Sequence, residues 1–137
     1  MNPIVDRGQV EGGLVQGMGW MTLEEIAYNK QGRLLSSALS TYKVPDIYFA
    51  PRQINVEFLE TKTPNLAILK SKAVGEPPLM YGIGAFFALT DAIKAFNPSA
   101  TGLFEAPMTH ERLLMALYQE TAANDSKPST FDHTINK

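Results

Sequence analysis

Apolar and polar positions follow three rhythms along this chain, and each predicts a different element. Residues 8 to 20 place Val10, Leu14 and Met18 on one face, continued by Met21, which is helical spacing. From Thr22 the pattern shortens to runs at Leu23 to Tyr28 and Arg33 to Leu35 around Asn29-Lys30-Gln31-Gly32, predicting a hairpin with strands near 22–28 and 33–36. Ile54 to Glu60 alternates strictly, so Ile54, Val56 and Phe58 mark the inner face of a half-buried strand, and Leu66 to Leu69 suits another short one. The apolar run from Leu79 to Phe96 predicts a helix that starts at Pro77, is buried on more than one side and is stopped by Asn97-Pro98. Leu113, Leu114, Leu117 and Tyr118 give the apolar face of a last helix over about 110–122, with Thr109 as N-cap. Ser40 to Pro45 reads as extended chain and Asp46 to Pro51 as an irregular loop. Together these predict an α+β fold: one domain over residues 1–123 with a Gly-rich N-terminal helix, a small mostly antiparallel sheet and two C-terminal helices. Residues 124–137 are polar and aperiodic and are expected to form a disordered tail.

Composition narrows the function classes. At 137 residues, 45% hydrophobic and 19% charged, the chain suits one globular unit with a core. A net charge of −2 without a basic cluster lacks the footprint of a nucleic-acid binder. The absence of cysteine excludes disulfides, thiolate zinc sites, iron–sulfur ligation and a cysteine nucleophile within this chain. His110 and His133 are too far apart for a local metal site, so none is expected. Gly82, Gly84, Thr90, Asp91 and Lys94 interrupt the longest apolar run, and the first residues lack signal-peptide form, so a soluble, cytoplasmic chain without a membrane partner is expected.

Two stretches carry candidate chemistry. Five glycines in the twelve residues 8–19 weaken a helix by about 1 kcal/mol each relative to alanine, so something must compensate. Either the glycines pack closely on a neighbour or they let a ligand reach the backbone, with Gln9 offering amide donors and acceptors to it. Gly17-Met18-Gly19 lacks the third glycine of a dinucleotide fingerprint. The second stretch is Ser71-Lys72-Ala73-Val74-Gly75-Glu76-Pro77-Pro78, which puts an acid at a helix start, because paired prolines suit the first turn where N–H groups go unpaired anyway. Glu76 is then either a solvated loop acid favoured by the helix dipole or a buried base, its carboxyl desolvated by the apolar segment behind it.

Four motifs, in order and spacing, carry a specific resemblance. Asn2-Pro3 with Gly8-Gln9-Val10-Glu11-Gly12-Gly13, Gln16-Gly17-Met18-Gly19, Ser40-Thr41-Tyr42-Lys43-Val44-Pro45 and Ser71 to Pro78 together resemble the C-terminal part of the molybdenum-binding subunit of the xanthine dehydrogenase family, over about residues 2–118. The resemblance implies a molybdenum hydroxylase that transfers water-derived oxygen to a purine carbon. It implies Glu76 as catalytic base beside molybdopterin-bound molybdenum, Gln9 as a hydrogen-bond partner of the cofactor, Val74 and Gly75 as backbone contacts and Lys72 in a supporting role. It also implies a fragment of a longer enzyme, inactive alone and holding no cofactor by itself. The rest of the molybdenum-binding subunit would grip the cofactor, and FAD and iron–sulfur clusters would lie on other domains or subunits. The alternatives are the same piece of an aldehyde oxidase-type enzyme, or a non-catalytic folding or assembly module whose cut faces drive self-association.

Overall fold

The computed structural model describes residues 2–59 and 75–119. Helix α1 spans Pro3–Thr22; its N-cap Asn2 accepts a 3.1 Å hydrogen bond from the Ile4 N–H, and Pro3 occupies the first turn. It ends where the Leu23 and Glu24 N–H groups both donate to the Gly19 carbonyl at 2.8 Å. A 3₁₀ helix, Pro77–Gly82, runs directly into α2, Ile83–Phe96, and α3 spans His110–Leu117.

No strand forms among the described residues, which corrects the expected antiparallel sheet and with it the α+β class. The hairpin shrinks to one antiparallel bridge between Tyr28 and Leu34. Its turn forms as expected: the Asn29 side chain accepts from the Gln31 and Arg33 N–H groups at 3.0 and 2.8 Å, and Gly32 takes a φ of 77°. The ladder then fails to extend, because the Ala27 N–H donates to the Ser36 hydroxyl instead of to a backbone carbonyl. Ile26, Tyr28 and Leu35 all stay exposed, and a two-stranded hairpin without a covered face is marginal. Ile54 and Val56 are half-buried between exposed neighbours, but Phe58, expected on the same inner face, is exposed, and nothing described pairs with this stretch. The strand expected at 66–69 and the tail at 124–137 lie outside the described residues.

The core sits between α2, α3 and the loop joining them. Phe86, Ile93, Leu103 and Met108 are buried, with Met21, Leu89, Leu113 and Leu117 packed against them. The Met108 N–H donates to the Met21 carbonyl at 2.7 Å, tying this cluster to the end of α1. Arg112 reinforces the join, reaching Glu25 at 2.7 Å and the Pro107 carbonyl at 2.9 Å. Thr109 caps α3 as expected, and the Asn97 amide donates to the carbonyls of Ala116, Leu117 and Gln119, ending that helix earlier than its apolar pattern suggests. Pro77–Phe96 does reach the length and apolarity of a membrane-crossing helix, despite the interruptions that argued against one, but its inner side is committed to this core.

Candidate functional site

The candidate site is built on the glycine side of α1. Gly13, Gly17 and Gly19 are the buried residues of that helix, whereas Val10, Leu14, Met18 and Met21 are only half-buried. The close packing expected of the glycines is therefore real at these positions. A Cβ on Gly17 would strike the Leu79 carbonyl, and one on Gly82 would strike the Gly17 backbone, so the two helices cross in backbone contact. One turn earlier, a Cβ on Gly13 would lie 3.4 Å from the Glu76 carbonyl oxygen and 3.5 Å from its Cα. Glycine at 13 and 17 thus sets the height at which Glu76 rides on α1.

Glu76 is the residue before the 3₁₀ helix, and its carbonyl accepts the Leu79 N–H at 2.9 Å. Pro77 and Pro78 have no N–H groups to offer, and the Glu76 side chain makes no capping hydrogen bond. Glu76 is exposed in this chain, which is the solvated alternative and not the buried one: Met80 and Tyr81 are themselves largely exposed and Phe87 is half exposed. Gln9 lies one turn before Gly13 on the same side of α1, exposed and without a side-chain hydrogen bond among the described residues. Gly75 is half-buried, and among the described residues a Cβ on it would meet the Pro77 ring at 3.7 Å. Among the described residues nothing lies within 4 Å of a Cβ on Gly8 or Gly12, so the helix surface beside Gln9 is open. The structure thus seats Glu76 on Gly13, with Gln9 one turn from that glycine on α1 and Gly75 beside Glu76 in sequence; Lys72 and Val74 lie outside the described residues.

A second clamp holds the far end of α1. A Cβ on Gly19 would strike the Pro45 ring, and the Tyr42 hydroxyl donates to a Glu24 carboxylate oxygen at 2.5 Å. That bond, with lesser contributions from burial and the Glu24 charge, raises the Tyr42 pKa above its ordinary 10.0. Gly17 and Gly19 project to nearly opposite sides of a helix turning about 100° per residue, so α1 is held from both sides. Sequence reasoning assigned no chemistry to Tyr42 and missed both Tyr42–Glu24 and Arg112–Glu25, whose separations follow no local period.

A carboxylate that accepts and a primary amide that donates and accepts suit the polar edge of an organic ligand rather than a metal-ligand shell, and open helix surface lets such an edge approach. Among the described residues no group of three or more His, Cys, Asp or Glu side chains is placed to hold a metal ion. Two surface clefts lie elsewhere, one between α3 and the loop around Leu103, the other between Glu11, Gly12 and Val15 of α1 and residues 46–54; neither is lined by Gln9 or Glu76.

Comparison with known proteins points to the kind of ligand. Residues 1–51 match a family described as a molybdopterin cofactor-binding domain. The chain is similar to xanthine dehydrogenase 2 of Arabidopsis thaliana, 43% identical over 135 residues, covering 90% of this chain and 10% of that protein. It is also similar to probable aldehyde oxidase 2 of Oryza sativa subsp. japonica, 39% identical over 111 residues, covering 81% of this chain and 8% of that one. Among solved structures, quinoline 2-oxidoreductase from Pseudomonas putida 86 superposes with a TM-score of 0.72 at 29% identity, over 88% of this chain and 15% of that one. The chain spans about a tenth of the length of the curated relatives it matches.

Proposed function

Because the chain belongs to the xanthine dehydrogenase family, we propose that it forms one wall of a molybdopterin site in an oxidoreductase that hydroxylates an electron-poor carbon, and that Glu76 is the base of that site. The observation carrying this reading is the seat of Glu76 on Gly13, with Gln9 one turn away on the same side of α1. When bound, the molybdenum cofactor supplies the two-electron oxidation, with water as the oxygen source. This chain supplies one wall of the site. The Gln9 amide both donates to and accepts from a pterin edge, and the bare backbone at Gly8 and Gly12 lets that edge approach without a side chain in the way. Gly75, with Lys72 and Val74 close to it in sequence, would contact the cofactor region.

Glu76 takes the proton of the water-derived hydroxyl at a carboxylate oxygen as the new carbon–oxygen bond forms, the electron pair of the broken C–H bond being what the bound cofactor would accept, and the Glu76 backbone, seated on Gly13, limits how far that oxygen can wander. Its exposure in this chain means that water is excluded from it by other parts of the enzyme. Electrons pass onward to iron–sulfur and flavin groups held elsewhere, since a chain without cysteine cannot ligate the clusters. The substrate is a purine or a related heterocycle; an aldehyde is the second reading, favoured by the similarity to an aldehyde oxidase.

The test is made in the assembled enzyme. Glu76→Ala lowers turnover by at least about a hundredfold, the low end for loss of a general base, while molybdenum content stays at the wild-type level. Gln9→Ala instead lowers molybdenum occupancy. Near-wild-type turnover of Glu76→Ala would make the base assignment wrong.

A further inference from the structure

The 3₁₀ helix and α1 share a repeat. A 3₁₀ helix brings every third residue to one edge, and three residues rise about 6 Å along its axis. In an α-helix every fourth residue returns to nearly the same face, and four residues also rise about 6 Å. The edges that meet here have that spacing: Glu76, Leu79 and Gly82 on the 3₁₀ side, Gly13 and Gly17 on α1. Their contacts form rungs. A Cβ on Gly13 would lie 3.4 Å from both the Glu76 carbonyl oxygen and the Leu79 nitrogen, and one on Gly17 would lie 2.9 Å from the Leu79 carbonyl carbon and 3.2 Å from the Gly82 Cα. The Leu79 N–H closes the first 3₁₀ turn on the Glu76 carbonyl at 2.9 Å. Gln9 stands one rung before Gly13 on α1.

Such a ladder is stiff. A crowded side chain yields by changing rotamer, whereas these rungs are backbone on both sides. The Glu76 side chain makes no capping hydrogen bond, so it is the backbone that carries it. At the far end Gly82 is buried, and a Cβ there would strike the Gly17 backbone. An atom added at Gly82 lifts the 3₁₀ helix off α1, and Glu76 moves with it because Pro77–Gly82 is wound as one piece.

We propose that Gly82 is a positioning residue for the base: through Leu79 and the shared repeat, its contact with Gly17 sets the distance between the Glu76 carboxylate and the Gln9 amide. This inference rests on the reading of Glu76 as base. It adds that the spacing of base and amide is set within this chain, by a residue two 3₁₀ turns from Glu76 that takes no part in the chemistry.

The experiment grafts this chain into full-length xanthine dehydrogenase 2 of Arabidopsis thaliana in place of the segment it matches, and follows xanthine oxidation per bound molybdenum. A misplacement of about 1 Å at a reacting group costs roughly a hundredfold in rate, so Gly82→Ala should lower kcat at least about tenfold with KM changed less than about threefold. Gly84→Ala, the same substitution at an open position, should leave kcat unchanged. A loss of stability alone lowers the amount of loaded enzyme and not the kcat of what is loaded. The displacement itself is read in the free 137-residue chain. Because the chain has no cysteine, Gln16→Cys and Tyr81→Cys give exposed spin-label sites on the two elements, and Gly82→Ala should shift their separation in pulsed EPR.

If Gly82→Ala yields no loaded enzyme, Gly13→Val decides, since it presses on the Glu76 rung and leaves the Gly17–Gly82 contact in place. It should slow turnover at least about tenfold more than Gly13→Ala, whose methyl fits at 3.4 Å. A loaded Gly82→Ala enzyme with wild-type kcat, an unshifted label separation, or equal rates for Gly13→Ala and Gly13→Val would each overturn the proposal. The two readings fail separately. An inactive Glu76→Gln enzyme beside a fully active Gly82→Ala enzyme removes the positioning role alone, whereas a fully active Glu76→Gln enzyme removes the base even when Gly82→Ala shifts the labels.

Discussion

Gly17 of α1 and Gly82 of the 3₁₀ helix meet backbone to backbone, and neither has room for a methyl group. This crossing explains why the helix tolerates so many glycines, and it fixes the register in which Glu76 reaches Gly13 four residues away. Gly17→Ala forces backbone against backbone, where no flexible side chain can yield. A loss of about 1–3 kcal/mol is expected from overpacking, read as a lower midpoint in urea or thermal unfolding. Gly12→Ala is the opposite case: its site is open, and the gain in helix propensity should stabilise the chain by up to about 1 kcal/mol. Equal effects at the two positions would mean that α1 and the 3₁₀ helix do not cross here.

Tyr42 and Glu24 make stability depend on pH in the alkaline range. The hydrogen bond raises the Tyr42 pKa in the folded chain, so the folded state holds this proton more tightly than the unfolded state does. The contribution is fully present below pH 10.0, the ordinary tyrosine value, and is lost as pH rises through the raised folded value. Tyr42→Phe should remove that part of the alkaline fall and cost roughly 0.5–1 kcal/mol near neutrality, a modest figure for a partly exposed pair. Unfolding midpoints followed from pH 8 to 11 measure both effects.

Arg112 joins α3 to the segment after α1 through a half-exposed ion pair, so salt should weaken it. Arg112→Ala should cost more than Glu25→Ala, because the arginine also donates to the Pro107 carbonyl. The ion-pair share is roughly 0.2–1 kcal/mol at low salt and shrinks by 1 M. A double-mutant cycle at two salt concentrations separates the two contributions.

Features set by one or two adjacent residues were legible in the sequence. Asn2 and Thr109 cap the helices assigned to them, Pro77-Pro78 opens a helix, and Asn29 to Gly32 makes a turn. The sheet was not legible, because alternation at Ile54 and Val56 reports only which side is covered, not whether a partner strand exists. On α1 the glycine excess, one of whose two readings was close packing on a neighbour, located the contact at Gly13 and Gly17, whereas the apolar stripe alone counts these positions as blanks. At the site, the family motifs single out Gln9 and Glu76 as candidates, and of the two environments open to Glu76 in the sequence, solvated or buried, the chain shows the exposed one. Desolvation depends on chain that packs over the site, and local spacing carries no record of it.

Most direct is the rate at which substrate reduces the molybdenum centre in a single turnover of the assembled, metal-loaded enzyme, compared between wild type and Glu76→Gln. The substitution keeps the side chain's size and removes its ability to take a proton. With Glu76 as the base, the rate falls by about a hundred- to ten-thousandfold at unchanged molybdenum content. A rate within a few-fold of wild type would contradict that role.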